Sequence, residues 1–278
     1  MIFYFTATGN SLYAARQLDS DCRSIAQEIH GDMQYKADSI GIVCPIYGHE
    51  LPPIVKDFIA KAAFDTNYLY LVLTYGNRHG GAAELADEFA KSVGKHFDYI
   101  NVLLMVDNWL PGFDMDEQRT IDKHIPEQLA AIRLDIAERK QFISAVTDND
   151  REVHKEYLRR VSELPADTFK KLYRITDECI GCGICTKVCP MGCFSLNGQH
   201  AEWDNEKCIT CMACAHACPE TAIQLNIPEP NPKARYRNEH IGIMDIIESN
   251  WQKQYSKKAG FPHKTNQNGG THYGIRNT

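Results

Sequence analysis

The chain has 278 residues, a formal net charge of −6 at pH 7, and 44% hydrophobic residues, enough for one large or two ordinary domains with an ample core. Its longest apolar stretches, around Ile40–Pro45, Leu69–Leu73 and Val102–Val106, fall far below the ~20 residues that span a bilayer, so no membrane span is expected. The acidic body argues against nucleic acid as a partner. The start, Met1-Ile2-Phe3-Tyr4-Phe5, shows no basic n-region or cleavage signature, so eleven cysteines point to metal ligation in a reducing cytoplasm.

Residues 1–110 alternate short apolar runs with helical segments, the rhythm of a parallel α/β sheet. Strands are predicted at Ile2–Phe5, Arg23–Gln27, Ser39–Cys44, Tyr68–Thr74 and Asp98–Val106. Helices are predicted at Ser11–Leu18, Pro52–Ala63 and Gly81–Val93, with Pro52 and Pro53 suited to a first turn. The loop after the first strand, Thr6-Ala7-Thr8-Gly9-Asn10-Ser11, aims backbone N–H groups and a positive helix end at an anion. It has neither a GK[ST] ending nor a GxGxxG run, which disfavours nucleoside triphosphate and dinucleotide sites. A single phosphate monoester, held without Lys or Arg, is the remaining ligand; a hydroxyl-rich helix cap with no ligand is the plain alternative.

This T-x-T-G-N-S segment resembles the phosphate loop of flavodoxins. The resemblance implies that Thr6, Thr8, Gly9, Asn10 and Ser11 hold the FMN phosphate. It also implies a doubly wound sheet of order 2-1-3-4-5, with FMN at the carboxyl ends of strands beside the switch point. The loops after the third and fourth strands, Pro45-Ile46-Tyr47-Gly48-His49 and Thr74-Tyr75-Gly76-Asn77-Arg78, are similar to those that embrace the isoalloxazine ring. Each sets an aromatic beside a glycine, although aromatics at loop tips are also ordinary partly buried residues. His49 and Arg78 are the titratable groups nearest the expected ring, and so the catalytic candidates. Trp109 could cover the flavin, shape a pocket or seat a following domain. No HExxH, nucleophile elbow or paired-carboxylate constellation supports a hydrolase. The short link Gly31–Asp38 departs from longer flavodoxins, which carry a full helix there.

Residues 116–145 read as helix, with Ile121, Ile125, Leu129, Ile132 and Ile136 on one stripe and Pro126 kinking it or starting a second helix. Thr147-Asp148-Asn149-Asp150 is a turn and N-cap. A helix follows, with Val153, Tyr157, Leu158, Val161 and Leu164 expected to face inward.

Cys179, Cys182, Cys185 and Cys189 form C-x2-C-x2-C-x3-C-P, and Cys208, Cys211, Cys214 and Cys218 repeat it at an offset of 29 residues. Thiolates are soft ligands for iron–sulfur clusters or zinc. Zinc sites usually show two CxxC pairs across a longer span, whereas this run is the bacterial two-cluster pattern, in which the fourth Cys ligates the other cluster. Cluster I is expected on Cys179, Cys182, Cys185 and Cys218, and cluster II on Cys208, Cys211, Cys214 and Cys189. The same offset aligns Cys193 with Ala222, so Cys193 reads as a small packing residue. Gly181, Gly183, Ala213 and Ala215 suit close backbone approach, and Trp203 is expected to cover a hairpin near a cluster.

The whole chain to about Trp251 resembles fusions, common in anaerobic bacteria, of a flavodoxin-like domain with a two-[4Fe–4S] ferredoxin domain. The implied division is 1–145 flavodoxin-like, 146–175 helical connector, 176–227 a small α+β ferredoxin domain, and 228–278 a basic extension. The extension is expected to fold back on the acidic body through Ile241–Trp251, with charge attraction helping, and 256–278 to be disordered. The resemblance implies a cytoplasmic electron-transfer oxidoreductase that relays single electrons between two [4Fe–4S] clusters and FMN. It would serve a ferredoxin or reductase partner, a small organic acceptor, or both. The alternative is an iron–sulfur sensing or binding module with a non-catalytic flavodoxin-like domain.

Overall fold

A computed structural model describes residues 1–252. In chain order the first part runs β1 (Ile2–Tyr4), α1 (Asn10–Leu18), β2 (Cys22–Ser24), α2 (Ile25–Glu28), β3 (Gln34–Lys36), β4 (Ile40–Pro45), α3 (Pro53–Lys61), β5 (Ala63–Asp65), β6 (Leu69–Tyr75), α4 (Ala82–Ser92) and β7 (Tyr99–Leu104). It continues with α5 (Met115–Thr120), α6 (Ile125–Ala137), β8 (Phe142–Ile143) and α7 (Asp148–Ser162). The second part is β9 (Tyr173–Ile175), α8 (Ile184–Val188), β10 (Phe194–Asn197), β11 (His200–Trp203), α9 (Ala213–Ala217) and β12 (Ile223–Leu225), and α10 (Ile243–Asn250) closes the described chain.

The main sheet is parallel throughout, in the order β2-β1-β4-β6-β7-β8. The five strands read from the sequence stand second, first, third, fourth, fifth, and the short β8 adds a sixth at the edge. β4 and β6 are almost continuously apolar because helices cover both faces of a parallel sheet. One face buries Phe3, Phe5, Ile42, Val55, Phe58 and Leu71. The other buries Tyr4, Leu12, Val43, Tyr99, Leu129 and Ile132 beneath α1 and α6, together with Ile246 and Ile247 of α10.

Several expectations shift. The strand predicted over Arg23–Gln27 ends at Ser24, and one turn of helix begins at Ile25. The helix predicted to Ala63 stops at Lys61, because Ala63–Asp65 pairs in parallel with Gln34–Lys36 inside the supposed link Gly31–Asp38. Pro126 starts a helix at its first turn instead of kinking one, which its fixed φ and missing N–H favour. Ile121 falls between α5 and α6 and is exposed. α7 begins at the Thr147/Asp150 capping box as read, yet buries none of its residues, and Leu158 and Leu164 lie exposed. Its high charge gives it a solvated face, with Tyr157 as its inward contact on Gly48.

The second part pairs β9 antiparallel with β12. Its internal duplication is visible in the backbone. α8 and α9 begin after left-handed residues Gly183 (φ +70) and Met212 (φ +61), and Gly192 and Thr221 are left-handed at equivalent places. The extension folds back as expected, but chiefly through buried apolar and amide contacts of Ile241, Ile246, Ile247, Ser249 and Asn250. Arg16–Asp245 is a partly exposed ion pair, of the kind worth about 0–1 kcal/mol. A fully buried Ile contributes about 1.5–3 kcal/mol. Residues 256–278, expected to be disordered, lie outside the described residues.

Candidate functional site

The cysteine unit sits on the carboxyl ends of the main strands. Ile209 is part of the apolar core over one sheet face, and Val188 and Ala213 join the core over the other. Asn250 is fully buried, and its Nδ2 donates to Thr6 O (3.0 Å) after β1 and to Val188 O (3.2 Å) of α8.

Cys179, Cys182, Cys185 and Cys218 line one small cavity of about 20 Å³, otherwise apolar through Ile180, Leu196 and Ile223. Burial, then the neighbouring Cys182, Cys179 and Cys218 thiols, push the Cys185 thiol up to about 12. Cys214 is raised well above the usual thiol range, first by burial and then by Cys211, Cys189 and Cys208. The thiols that act on Cys185 and those that act on Cys214 each come from both copies of the repeat. The donor set fits iron–sulfur clusters, whose iron would replace the thiol protons.

Equivalent N–H···S bonds mark the duplication. Cys193 N donates to Cys189 Sγ (3.2 Å) and Ala222 N to Cys218 Sγ (3.3 Å). Such donors tune a cluster's potential. Cys193 is buried, as read, but its thiol also bonds Cys189 and Cys208; that contact is the leading cause of the Cys189 thiol falling to about 7. Trp203 lies edge-on to Tyr173 (4.8 Å), and its buried indole N–H has no hydrogen-bond partner. Gly181 admits the Gln199 carbonyl, where a Cβ would lie 2.7 Å away, so its close approach is to the hairpin.

The loop read as a phosphate cradle has the expected backbone. Gly9 is left-handed (φ +102) at the N-cap of α1, and the amides of Asn10, Ser11 and Leu12 precede the first closed turn, Tyr13 N to Gly9 O. The cradle is nevertheless covered by protein: Thr6, Thr8, Asn10 and Ser11 are all buried. Thr6 Oγ1 accepts from Gly9 N (3.0 Å), Thr8 Oγ1 from Asn108 Nδ2 (2.6 Å), and Ser11 Oγ bonds Thr74 Oγ1 (2.8 Å). Asn10 donates to Val106 O (2.9 Å) and accepts from Tyr236 Oη (2.7 Å).

The ring loops are closed as well. Tyr47 is half-buried, with its hydroxyl enclosed beside Cys211 and Cys208 and without a partner. Pro45 is the last residue of β4, and Ile46 N continues that pairing to Thr74 O (3.1 Å). A Cβ on Gly48 would lie 2.4 Å from Tyr157 Oη, and one on Gly76 would lie 2.3 Å from Asp107 Cα. Tyr75, Asn77, Arg78 and His79 instead line a solvent-open cleft of about 390 Å³ with Asn149, Asp150 and Val153 of α7. The residues present therefore do not fit FMN as expected, because the chain itself fills the phosphate position.

His49 (φ +70) lies under α7, with its Nδ1 3.4 Å from His154 Nδ1. Burial first, then His154, His79 and Arg78, lower it to about 4. It is neutral at pH 7 and faces α7, not a ring site. Trp109 is 38% exposed and does not seat the cysteine unit. Asn108 does so: its carbonyl meets His216 Nε2 at 2.9 Å. Because Tyr236 N donates to His216 Nδ1 (3.0 Å), the proton sits on Nε2 and is given to Asn108 O. Sequence reading missed Asn108, His216 and Asn250; a His between Cys214 and Cys218 was the available pointer to the second of these.

Residues 171–219 match the family described as a 4Fe-4S dicluster domain. The cysteine unit is a ferredoxin-type iron–sulfur domain. No curated protein matches the chain. Similar solved structures include a presumed flavoprotein from Bacteroides uniformis, at 16% identity over 43% of this chain and 94% of that one, with TM-score 0.28. Another is the Trp repressor binding protein of Bacillus subtilis, at 11% identity over 48% of this chain and 97% of that one, with TM-score 0.30. No helix among the described residues is long and apolar enough to cross a membrane.

Proposed function

We propose that this protein is an electron-transfer protein carrying two [4Fe–4S] clusters, one on Cys179, Cys182, Cys185 and Cys218 and the other on Cys189, Cys208, Cys211 and Cys214. The observation that carries the reading is the one cavity lined by Cys179, Cys182, Cys185 and Cys218, thiols from both copies of the repeat. The first set includes the exposed Cys182, flanked by exposed Ile180 and Leu196. A redox partner protein would dock there, steered by the acidic residues Asp177, Glu178, Glu202 and Glu220 of the same unit. The second set lies inward, against Tyr47 and the sheet. The clusters would supply single-electron chemistry. The chain's own residues hold the thiolates, donate N–H groups to them and exclude water from the inner set. No step is assigned to FMN, because its site does not fit. Protein purified without oxygen is expected to contain about eight iron per chain and to bleach on reduction; zinc in place of iron would refute the reading.

A second reading, an iron–sulfur redox-responsive module, is favoured by the closure of the loops at Gly9 and Gly48. Stopped-flow oxidation separates the two. Dithionite-reduced protein should pass electrons rapidly and repeatedly to a one-electron acceptor protein if it is a carrier. Slow, single-turnover oxidation with a change in shape would favour the module.

A further inference from the structure

The cradle Thr6–Ser11 is filled by uncharged side chains of the same chain, Tyr236, Asn238 and Ile241. Asn238 N donates to Thr8 O (2.8 Å), Asn238 Nδ2 donates to Asn10 Oδ1 (3.2 Å), and Tyr236 Oη donates to the same oxygen (2.7 Å). A Cβ on Gly9 would lie 3.0 Å from both Asn238 Cβ and Ile241 Cβ. The bare face of that glycine, which in a phosphate loop lets the anion approach, is here the seat of two side chains. A phosphate monoester carries about −1.5 to −2 charges at pH 7, and placing it beside the buried Ile241 would strip its water.

The same segment reaches the iron–sulfur unit. Tyr236 N bonds His216 Nδ1, His216 Nε2 bonds Asn108 O, and Asn108 Nδ2 bonds Thr8 Oγ1. Thr8, Asn108, His216, Tyr236, Asn10 and Asn238 thus form one connected polar ring that ties the cradle, the loop after β7, α9 and the extension together. A flavin phosphate could enter only by opening that ring and loosening α9.

We infer that the C-terminal strap, residues 234–250, has taken the place of a flavin phosphate, converting the cradle into a socket that locks the iron–sulfur unit onto a flavin-free platform. This holds whatever metal the eight cysteines carry, and so stands or falls apart from the electron-transfer reading.

The test uses the full chain purified without oxygen. Acid denaturation is expected to release no flavin. Added FMN should keep its fluorescence, and hydrogen exchange across 234–241 should be unchanged by FMN. Tyr236→Phe, which keeps the ring and deletes one hydroxyl bond, is expected to speed that exchange about fivefold to tenfold, the effect of losing one buried hydrogen bond, with metal content unchanged. Stoichiometric FMN in the purified protein, FMN-dependent protection of Thr6–Ser11, or unaltered exchange in Tyr236→Phe would each overturn the inference.

Discussion

Ile180 and Ile209 occupy equivalent places in the two copies of the cysteine repeat, one residue after the first cysteine of each. Ile180 is 59% exposed; Ile209 is 9% exposed and belongs to the core over one face of the main sheet. Cys182 is likewise exposed, whereas its counterpart Cys211 packs against both apolar cores of the sheet. The spacing builds the same turns, short helices and N–H···S bonds twice. Packing against the sheet then sets them apart: Ile180 and Cys182 of the outer copy stay exposed, and Ile209 and Cys211 of the inner copy are sealed by the platform.

The comparison breaks most directly at its two isoleucines. Ile209→Ala should cost about 2–5 kcal/mol, as buried Ile truncations do, and Ile180→Ala should stay within about 0.5 kcal/mol. Denaturant unfolding of the metal-loaded protein measures both, and equal losses would erase the distinction.

Asn250→Ala removes the amide that bridges β1 and α8 and leaves the buried carbonyls of Thr6 and Val188 without that donor. A loss of about 1–3 kcal/mol is expected, with iron content kept. Iron loss without destabilisation would place Asn250 on the cluster side instead.

His49 tests the platform beneath the inner copy. Its folded value of about 4 lies below the ordinary 6.5, so the unfolded chain binds its proton first. The stability it contributes is present above pH 6.5 and is lost as pH falls from there through about 4. His49→Asn, which tolerates the left-handed backbone, should flatten the denaturation midpoint over that window. An unchanged acid slope would show that His154 or Asp150, which face His49, govern it.

Cys193→Ala gives the outer copy the alanine that the inner copy already carries at Ala222. Losing a thiol donor to Cys189 and Cys208 should lower one cluster potential by roughly 20–40 mV and leave the other in place. Redox titration followed by electron paramagnetic resonance reads both; loss of half the iron would instead make Cys193 a ligand.

Much of the site was legible in the chain. The parallel strands announced themselves because Ile40–Pro45 and Leu69–Leu73 are apolar on both faces. The cysteines did so because cluster ligation demands thiols at short, fixed intervals. The pairing of Gln34–Lys36 with Ala63–Asp65 was not legible, since three-residue strands with exposed polar side chains carry no alternation to read. Nor was the exposure of α7, whose apolar stripe matches that of a buried helix while its contacts do not.

By itself the sequence determined the local geometries: a left-handed glycine at the head of α1, two copies of a thiol-bearing turn, and a sheet buried on both sides. These follow from backbone sterics and short-range spacing, which neighbours in the chain control. Only the tertiary structure decided that the cradle is taken. Tyr236 and Asn10 are 226 residues apart, and no periodicity or propensity encodes that meeting. It arises because Ile241, Ile246 and Ile247 bury themselves against α1 and the sheet, and that burial brings Tyr236 and Asn238 to the cradle's polar groups.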